Sequence, residues 1–168
     1  MTSPATFDLL IASFPCITFD ADDIPDISTS ETVKEWTDTW TSLEALHDAT
    51  KIARLGIAEF GTQRLAQLLE HTRVKPEVDQ INVRDCCVVP KPLILFAKER
   101  GLELLTHNDC TEVLPEEALR GVLEEFGLRA EGVRPRWVVK YTAVVKSRGV
   151  VENKGWVIWL LLKTGTLC

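Results

Sequence analysis

The sequence has little of what many binding chemistries require. Its 168 residues include three His, one Met and one Tyr, and 19 Lys and Arg stand against 25 Asp and Glu, for a formal net charge of −6. No Lys/Arg cluster stands out to neutralise phosphates, which excludes a nucleic-acid partner. The longest apolar run, Trp156–Leu162, is far short of the roughly 20 residues that span a membrane as a helix. Met1–Thr6 is short, polar and uncharged, unlike a secretory signal. Neither GxGxxG nor GxxxxGK followed by Ser or Thr occurs, so no phosphate cradle is marked behind a strand. Five cysteines (Cys16, Cys86, Cys87, Cys110 and Cys168) form an odd, uneven set with no CxxC and no zinc spacing. They read as reduced thiols, and a structural metal is not expected. A soluble, cytoplasmic chain is the expectation.

What is present is a core and an alternation. With 45% apolar residues, a chain of this length can bury a core as one domain. Phe7–Phe14 is a nearly continuous apolar run, the pattern of a strand covered on both faces. An acidic connection with Asp20, Asp22, Asp23 and Asp26 follows. Ser28 and Glu31 then have capping-box spacing, and Val33, Trp36, Trp40, Leu43 and Leu46 recur at helical intervals, with the two tryptophans on a core-facing side. Ile52–Ala58 predicts a second strand, backed by a helix through Leu65, Leu68 and Leu69, and Val78–Val83 a third. Pro92 opens a short helix with Leu93, Phe96 and Ala97 inward and Gly101 at its C-terminal cap. Leu102–Thr106 predicts a fourth strand. Pro115, Glu116 and Glu117 start a further helix through Leu119, Leu123 and Phe126 to Gly127.

Strands separated by helices imply a parallel sheet, because parallel neighbours need a crossover. Without a glycine-rich fingerprint, part of a (β/α)8 barrel is favoured over a nucleotide-binding doubly wound sheet. Trp137–Lys146 is ambiguous: its β-branched residues suggest a strand, whereas a barrel repeat wants a helix here. The barrel repeat is given precedence, predicting a helix that ends near Arg148–Gly149 and a last strand over Val150–Ile158.

Three stretches carry a resemblance. LGIAEFG (Leu55–Gly61) resembles the fifth-strand signature of aldo-keto reductases, and Val74–Asp109 is similar to the next two strands of that superfamily. Within it, the paired Cys86–Cys87 and the tetrapeptide THND (Thr106–Asp109) resemble the regulatory (modifier) subunits of glutamate–cysteine ligase, as does VVKSRGVVENKG (Val144–Gly155). The resemblance implies a single, incomplete aldo-keto-reductase-like domain over residues 1–168, roughly the C-terminal half of the barrel. It implies a non-catalytic protein that binds the ligase catalytic subunit, improves its use of glutamate and relieves feedback inhibition by glutathione. Residues 156–168 have no clear counterpart and read as an atypical tail, the product of a mis-predicted exon end.

The same resemblance argues against reductase chemistry. Barrel sites lie at the C-terminal ends of the strands. The histidine the reductases place after the first strand seen here is replaced by Ser13, whose hydroxyl cannot orient and polarise a carbonyl as an imidazole does. The Ser-Asn pair that holds the nicotinamide becomes Ala58-Glu59, and the stacking aromatic becomes His107, while the glutamine survives as Gln80. No cofactor is expected. A degenerate reductase with weak NADPH binding through Gln80 and Lys154 is the alternative, and a truncated fragment without function is a further one.

Other candidates have a bland reading beside the functional one. Cys86 and Cys87 are either a redox-sensitive pair near the partner interface or one buried apolar thiol and an incidental neighbour. His107, Asn108 and Asp109 make either a polar pocket or partner contact, or a strand-end turn. The acidic loop is either a solvated connection or a docking element. Arg148, with Lys146 and Lys154, is either surface charge or an anion or partner site. His47 and His71 are read as solvated helix-end residues.

Overall fold

The computed structural model describes residues 6–14, 17, 19, 30–84, 88–108, 114–129, 133–145 and 147–162. The chain divides into two compact units, Met1–Thr111 and Glu112–Cys168.

In the first unit, β1 (Phe7–Ala12), α1 (Ser30–Asp48), β2 (Ile52–Ala58), α2 (Thr62–His71), β3 (Val78–Asn82), α3 (Lys91–Arg100) and β4 (Glu103–His107) alternate. The four strands pair in chain order, all parallel. Side chains alternate across a strand, so residues two apart share a face. Leu55 and Ile57 of β2 and Ile81 of β3 join Trp36 and Trp40 of α1, Leu65 and Leu68 of α2, and Leu93 and Ala97 of α3 in one buried cluster. The helices thus cover one face of the sheet. Burying each such aliphatic side chain is worth about 1.5–3 kcal/mol. Phe14, Trp36 and Phe60 close the cluster near the strand ends, with 4.9 Å between the Trp36 and Phe60 ring centroids.

Polar bonds hold α1 to the turn that leads into β3. The Glu44 carboxylate, nearly buried, accepts the N–H groups of Arg73 at 2.7 Å and Val74 at 2.8 Å, and Trp40 Nε1–H donates to the Val74 carbonyl at 2.8 Å. Lys75 Nζ donates to the Leu69 and Thr72 carbonyls at the end of α2. There it satisfies carbonyls the helix leaves open. At the opposite end of the sheet from the Phe14–Phe60 pair, Arg54 bridges Glu77 (2.8 Å) and Glu103 (2.9 Å), and its hydrogen bonds to Glu103 and then Glu77 raise its guanidinium above the ordinary value.

The expected α3 is present, with Pro92 in its first turn and Gly101 left-handed at φ +66°. Gly101 and Leu102 donate their N–H groups to the Lys98 and Ala97 carbonyls, the Schellman closure.

The second unit holds α4 (Glu116–Glu125), β5 (Val133–Val145) and β6 (Val150–Leu162). Glu116 and Glu117 fall in the first turn of α4, where negative charge complements the helix dipole. Phe126, expected within the helix, is 74% exposed. The helix stops one residue before it. Gly127 is left-handed, and the N–H groups of Gly127 and Leu128 return to the Glu124 and Leu123 carbonyls.

The helix expected over Trp137–Lys146 is instead strand β5, antiparallel to β6 in a two-stranded sheet. Two physical facts decide against the barrel repeat. The segment is dense in β-branched residues, and a partner strand begins at Val150, close beyond a turn in which Arg148 and Gly149 donate to the Val145 carbonyl. The last strand is found where expected but continues past Ile158 to Leu162, so Trp156–Leu162 belongs to the hairpin. Tyr141 lies over its cross-strand partner Gly155.

Candidate functional site

The C-terminal ends of β2, β3 and β4 meet at one side chain, Glu59. It follows β2 with φ +66°, a left-handed conformation that side-chain-bearing residues adopt only when their surroundings hold them there. Its N–H donates to the Gln80 carbonyl at 3.0 Å. One carboxylate oxygen accepts the Phe19 N–H at 2.9 Å; the other accepts the Asn82 N–H at 2.8 Å and lies 3.4 Å from His107 Nε2. Only 14% of the Glu59 side chain is exposed. The Val83 N–H donates to the His107 carbonyl, and Asn82 Oδ1 accepts the Arg84 N–H at 3.0 Å. Glu59 thus ties Phe19, beyond β1, to β3 and β4, spending its charge on the chain's own amides. Ala58 is buried beside it, in register with Gln80.

A second carboxyl, Asp79, has no role in the sequence reading. It is fully buried, in register with Ile57 and Leu104, and shares the helix-facing side of β3 with Ile81. Neither of its oxygens has a partner at hydrogen-bonding geometry among the described residues. Burial pushes its pKa up to about 8; the approach of the Phe60 N–H works against this and the negative charge of Glu59 adds to it. At neutral pH Asp79 is therefore mostly a neutral acid. The signal was available in VDQIN, since Asp79 stands two residues before an evident core position.

A groove of about 630 Å³ runs between α1 and α2, lined by Val33, Lys34, Thr37, Asp38, Gln67, Glu70 and His71. It is open, distant in sequence from the strand ends, and crossed by the exposed Lys34–Asp38 ion pair. The strand ends, not this groove, gather the expected polar residues. Among the described residues no group of three or more His, Cys, Asp or Glu is placed to hold a metal ion, and no helix is long and apolar enough to cross a membrane.

No protein-family model matches the chain. The regulatory subunit of mouse glutamate–cysteine ligase (Mus musculus) is 37% identical over 121 residues, covering 71% of this chain and 44% of that protein. The putative regulatory subunit of Schizosaccharomyces pombe is 32% identical over 161 residues, covering 89% of this chain and 56% of its own length. The chain is a homologue of the glutamate–cysteine ligase regulatory subunits. It spans about half the length of the curated regulatory subunits it matches. Glyoxal reductase of Bacillus subtilis is 25% identical over 122 residues, covering 71% of this chain and 44% of that protein. A solved aldo-keto reductase from Brucella melitensis is similar at TM-score 0.46 and 16% identity, covering 74% of this chain and 43% of that one. The serial parallel βα order of the first unit is the order expected of part of a (β/α)8 barrel.

Several residues that the likeness to the regulatory subunits singles out can now be placed. Ser13 is exposed just beyond β1, Gln80 half-buried on β3, His107 half-buried at the end of β4, and Asn108 exposed after it. The strand ends bring Gln80, Glu59 and His107 together. Lys154 and Arg148 belong to the second unit: Lys154 is exposed on β6 opposite Thr142, and Arg148 is exposed in the hairpin turn. Cys16, Cys86, Cys87, Cys110, Cys168, Asp109, Lys146, Ser28 and the acidic loop (Asp20, Asp22, Asp23, Asp26) lie outside the described residues. Trp36 and Trp40 are core residues, 2% and 1% exposed. His71 is exposed at the end of α2, whereas His47 is half-buried with an inaccessible Nδ1, so it is not the solvated residue expected.

Proposed function

We propose that this chain is a non-catalytic regulatory partner of the glutamate–cysteine ligase catalytic subunit, cytoplasmic like the pathway it serves. Bound there, it improves the use of glutamate and relieves feedback inhibition by glutathione. The observation that carries this reading is the identity of 37% with the mouse regulatory subunit over most of the chain. The strand ends support it. A reductase needs a proton donor to the carbonyl and a seat for the nicotinamide. Here Ser13 stands at the histidine position of the resemblance, Ala58 offers no hydroxyl, and the Glu59 carboxylate is already engaged by Phe19 and Asn82. A carboxylate there also repels a dinucleotide phosphate rather than attracting it. These residues do not fit NADPH, and no dinucleotide is part of the proposed role.

Mixing the folded chain with the ligase catalytic subunit and resolving the mixture by gel filtration tests the reading. Co-elution is expected; separate elution of two folded proteins would overturn it. A fluorescence titration with NADPH tests the reductase-like alternative, for which retained Gln80 is the supporting residue. No saturable change is expected.

A further inference from the structure

The β5–β6 hairpin presents more apolar surface than two strands can cover. Each strand is 13 residues long, and among the described residues the sheet holds only these two, so each has an outer edge without a strand beside it. An isolated two-stranded hairpin is marginal in water, and long apolar edges are templates for another strand. Val139 and Val157, paired across the sheet, are 40% and 60% exposed; Val144 and Val151, the next such pair towards the turn, are also exposed. Trp156 is exposed on the opposite face, where its ring lies 5.7 Å from Lys140 Nζ. Both faces therefore carry uncovered apolar groups.

The charge of the hairpin selects its occupant. Residues 133–162 hold Arg134, Arg136, Lys140, Lys146, Arg148 and Lys154 against Glu152 alone, a net of +5, which leaves −11 on the rest of a chain of net −6. Hairpin-to-hairpin pairing of two copies would bring two such +5 segments together, and like charge across an interface disfavours that partner. An acidic strand is favoured by the same field. The two edges also differ. Pro135 offers no N–H and Arg136 is bulged out of the ladder of β5, whereas Asn153–Leu162 of β6 has neither proline nor bulge.

We infer that the outer edge of β6, over Asn153–Leu162, is the docking surface for an extended segment of the ligase catalytic subunit in which Asp and Glu alternate with apolar residues, added as a third strand. Main-chain bonds supply the attachment, the exposed valines and Trp156 the burial, and Arg148 and Lys154 the selection by charge. The inference rests on the proposed regulatory role. That role does not itself say which surface is used.

The test is hydrogen exchange of the full chain, alone and with saturating catalytic subunit, together with titration of the chain carrying Arg148→Glu and Lys154→Glu. Slowed exchange over Asn153–Leu162 in the complex is expected. So are a Kd raised about tenfold or more by the double substitution, an unchanged melting curve for the substituted chain, and weaker binding of the parent at higher salt. A complex that leaves those amides unprotected and binds the charge-reversed chain equally well overturns the docking surface and leaves the regulatory role standing. Protection of the same amides in the chain alone, with dimers in sedimentation, assigns the edge to a second copy and also overturns it. No complex at all removes both.

Discussion

Asp79 sets a pH dependence that an ordinary surface carboxylate would not. Its folded pKa of about 8 lies above the model value of 3.8, so folding takes up a proton wherever the pH falls between them. Stability from this group is fully present below about pH 4 and is lost as pH rises towards 8, because the unfolded chain releases the proton that the folded chain must keep. Asp79→Asn removes the titration while keeping the shape. The variant is expected to gain on the parent by about 1.4 kcal/mol per pH unit between pH 5 and 7, measured by urea unfolding at several pH values. A gap independent of pH would contradict the buried-acid assignment. Glu59 contributes as a hydrogen-bond acceptor. Glu59→Ala leaves the Phe19 and Asn82 amides without their acceptor, and a loss of about 1–3 kcal/mol is expected in the same assay. Both carboxyls differ in legibility. Asp79 could be placed in the core from its spacing to Ile81, whereas Glu59 reads in sequence only as a lost amide and an added charge. Its acceptor role depends on a left-handed backbone and on amides 23 and 40 residues away, which no local pattern reports.

At the scale of elements, α1 is joined to the rest of its unit by more than apolar packing. Glu44→Ala removes the acceptor of two part-buried N–H groups, and a loss of about 2 kcal/mol is expected. Glu44→Gln retains one acceptor oxygen and is expected to lose less; equal losses would show that charge, not acceptance, matters. In the hairpin, a Cβ at Gly155 would lie 2.9 Å from the Tyr141 ring. Gly155→Val is therefore expected to displace that ring and speed hydrogen exchange across β5 and β6 while leaving β2 and β3 protected. Uniform loss of protection would mean that the two units unfold together. The same two regions show what an element needs in order to be read from sequence. Helix α3 is legible because Pro92, the apolar spacing of Leu93 and Ala97, and Gly101 all point to one answer. Trp137–Lys146 is not, because local β-propensity and the barrel repeat disagree there. The winner is set by a strand beginning only at Val150. Phe126 misleads for a similar reason: its helical spacing is real, but Gly127 closes the helix before it.

The whole molecule combines a parallel βα unit with a basic hairpin, in a chain that is acidic overall. Likeness to the glutamate–cysteine ligase regulatory subunits carries the proposed role, and at the strand ends the Glu59 carboxylate is engaged by the chain's own amides. Regulation of this kind is a coupling free energy between partner and active site, commonly about 1–3 kcal/mol, so its signature is a shift in an inhibition curve rather than an activity of the chain itself. The most direct measurement is therefore the glutathione inhibition curve of the ligase catalytic subunit, recorded with and without a saturating amount of this chain. The midpoint is expected to move to higher glutathione by about 5-fold or more, as a coupling of that size requires. Superimposable curves from a mixture shown to form the complex would contradict the regulatory role.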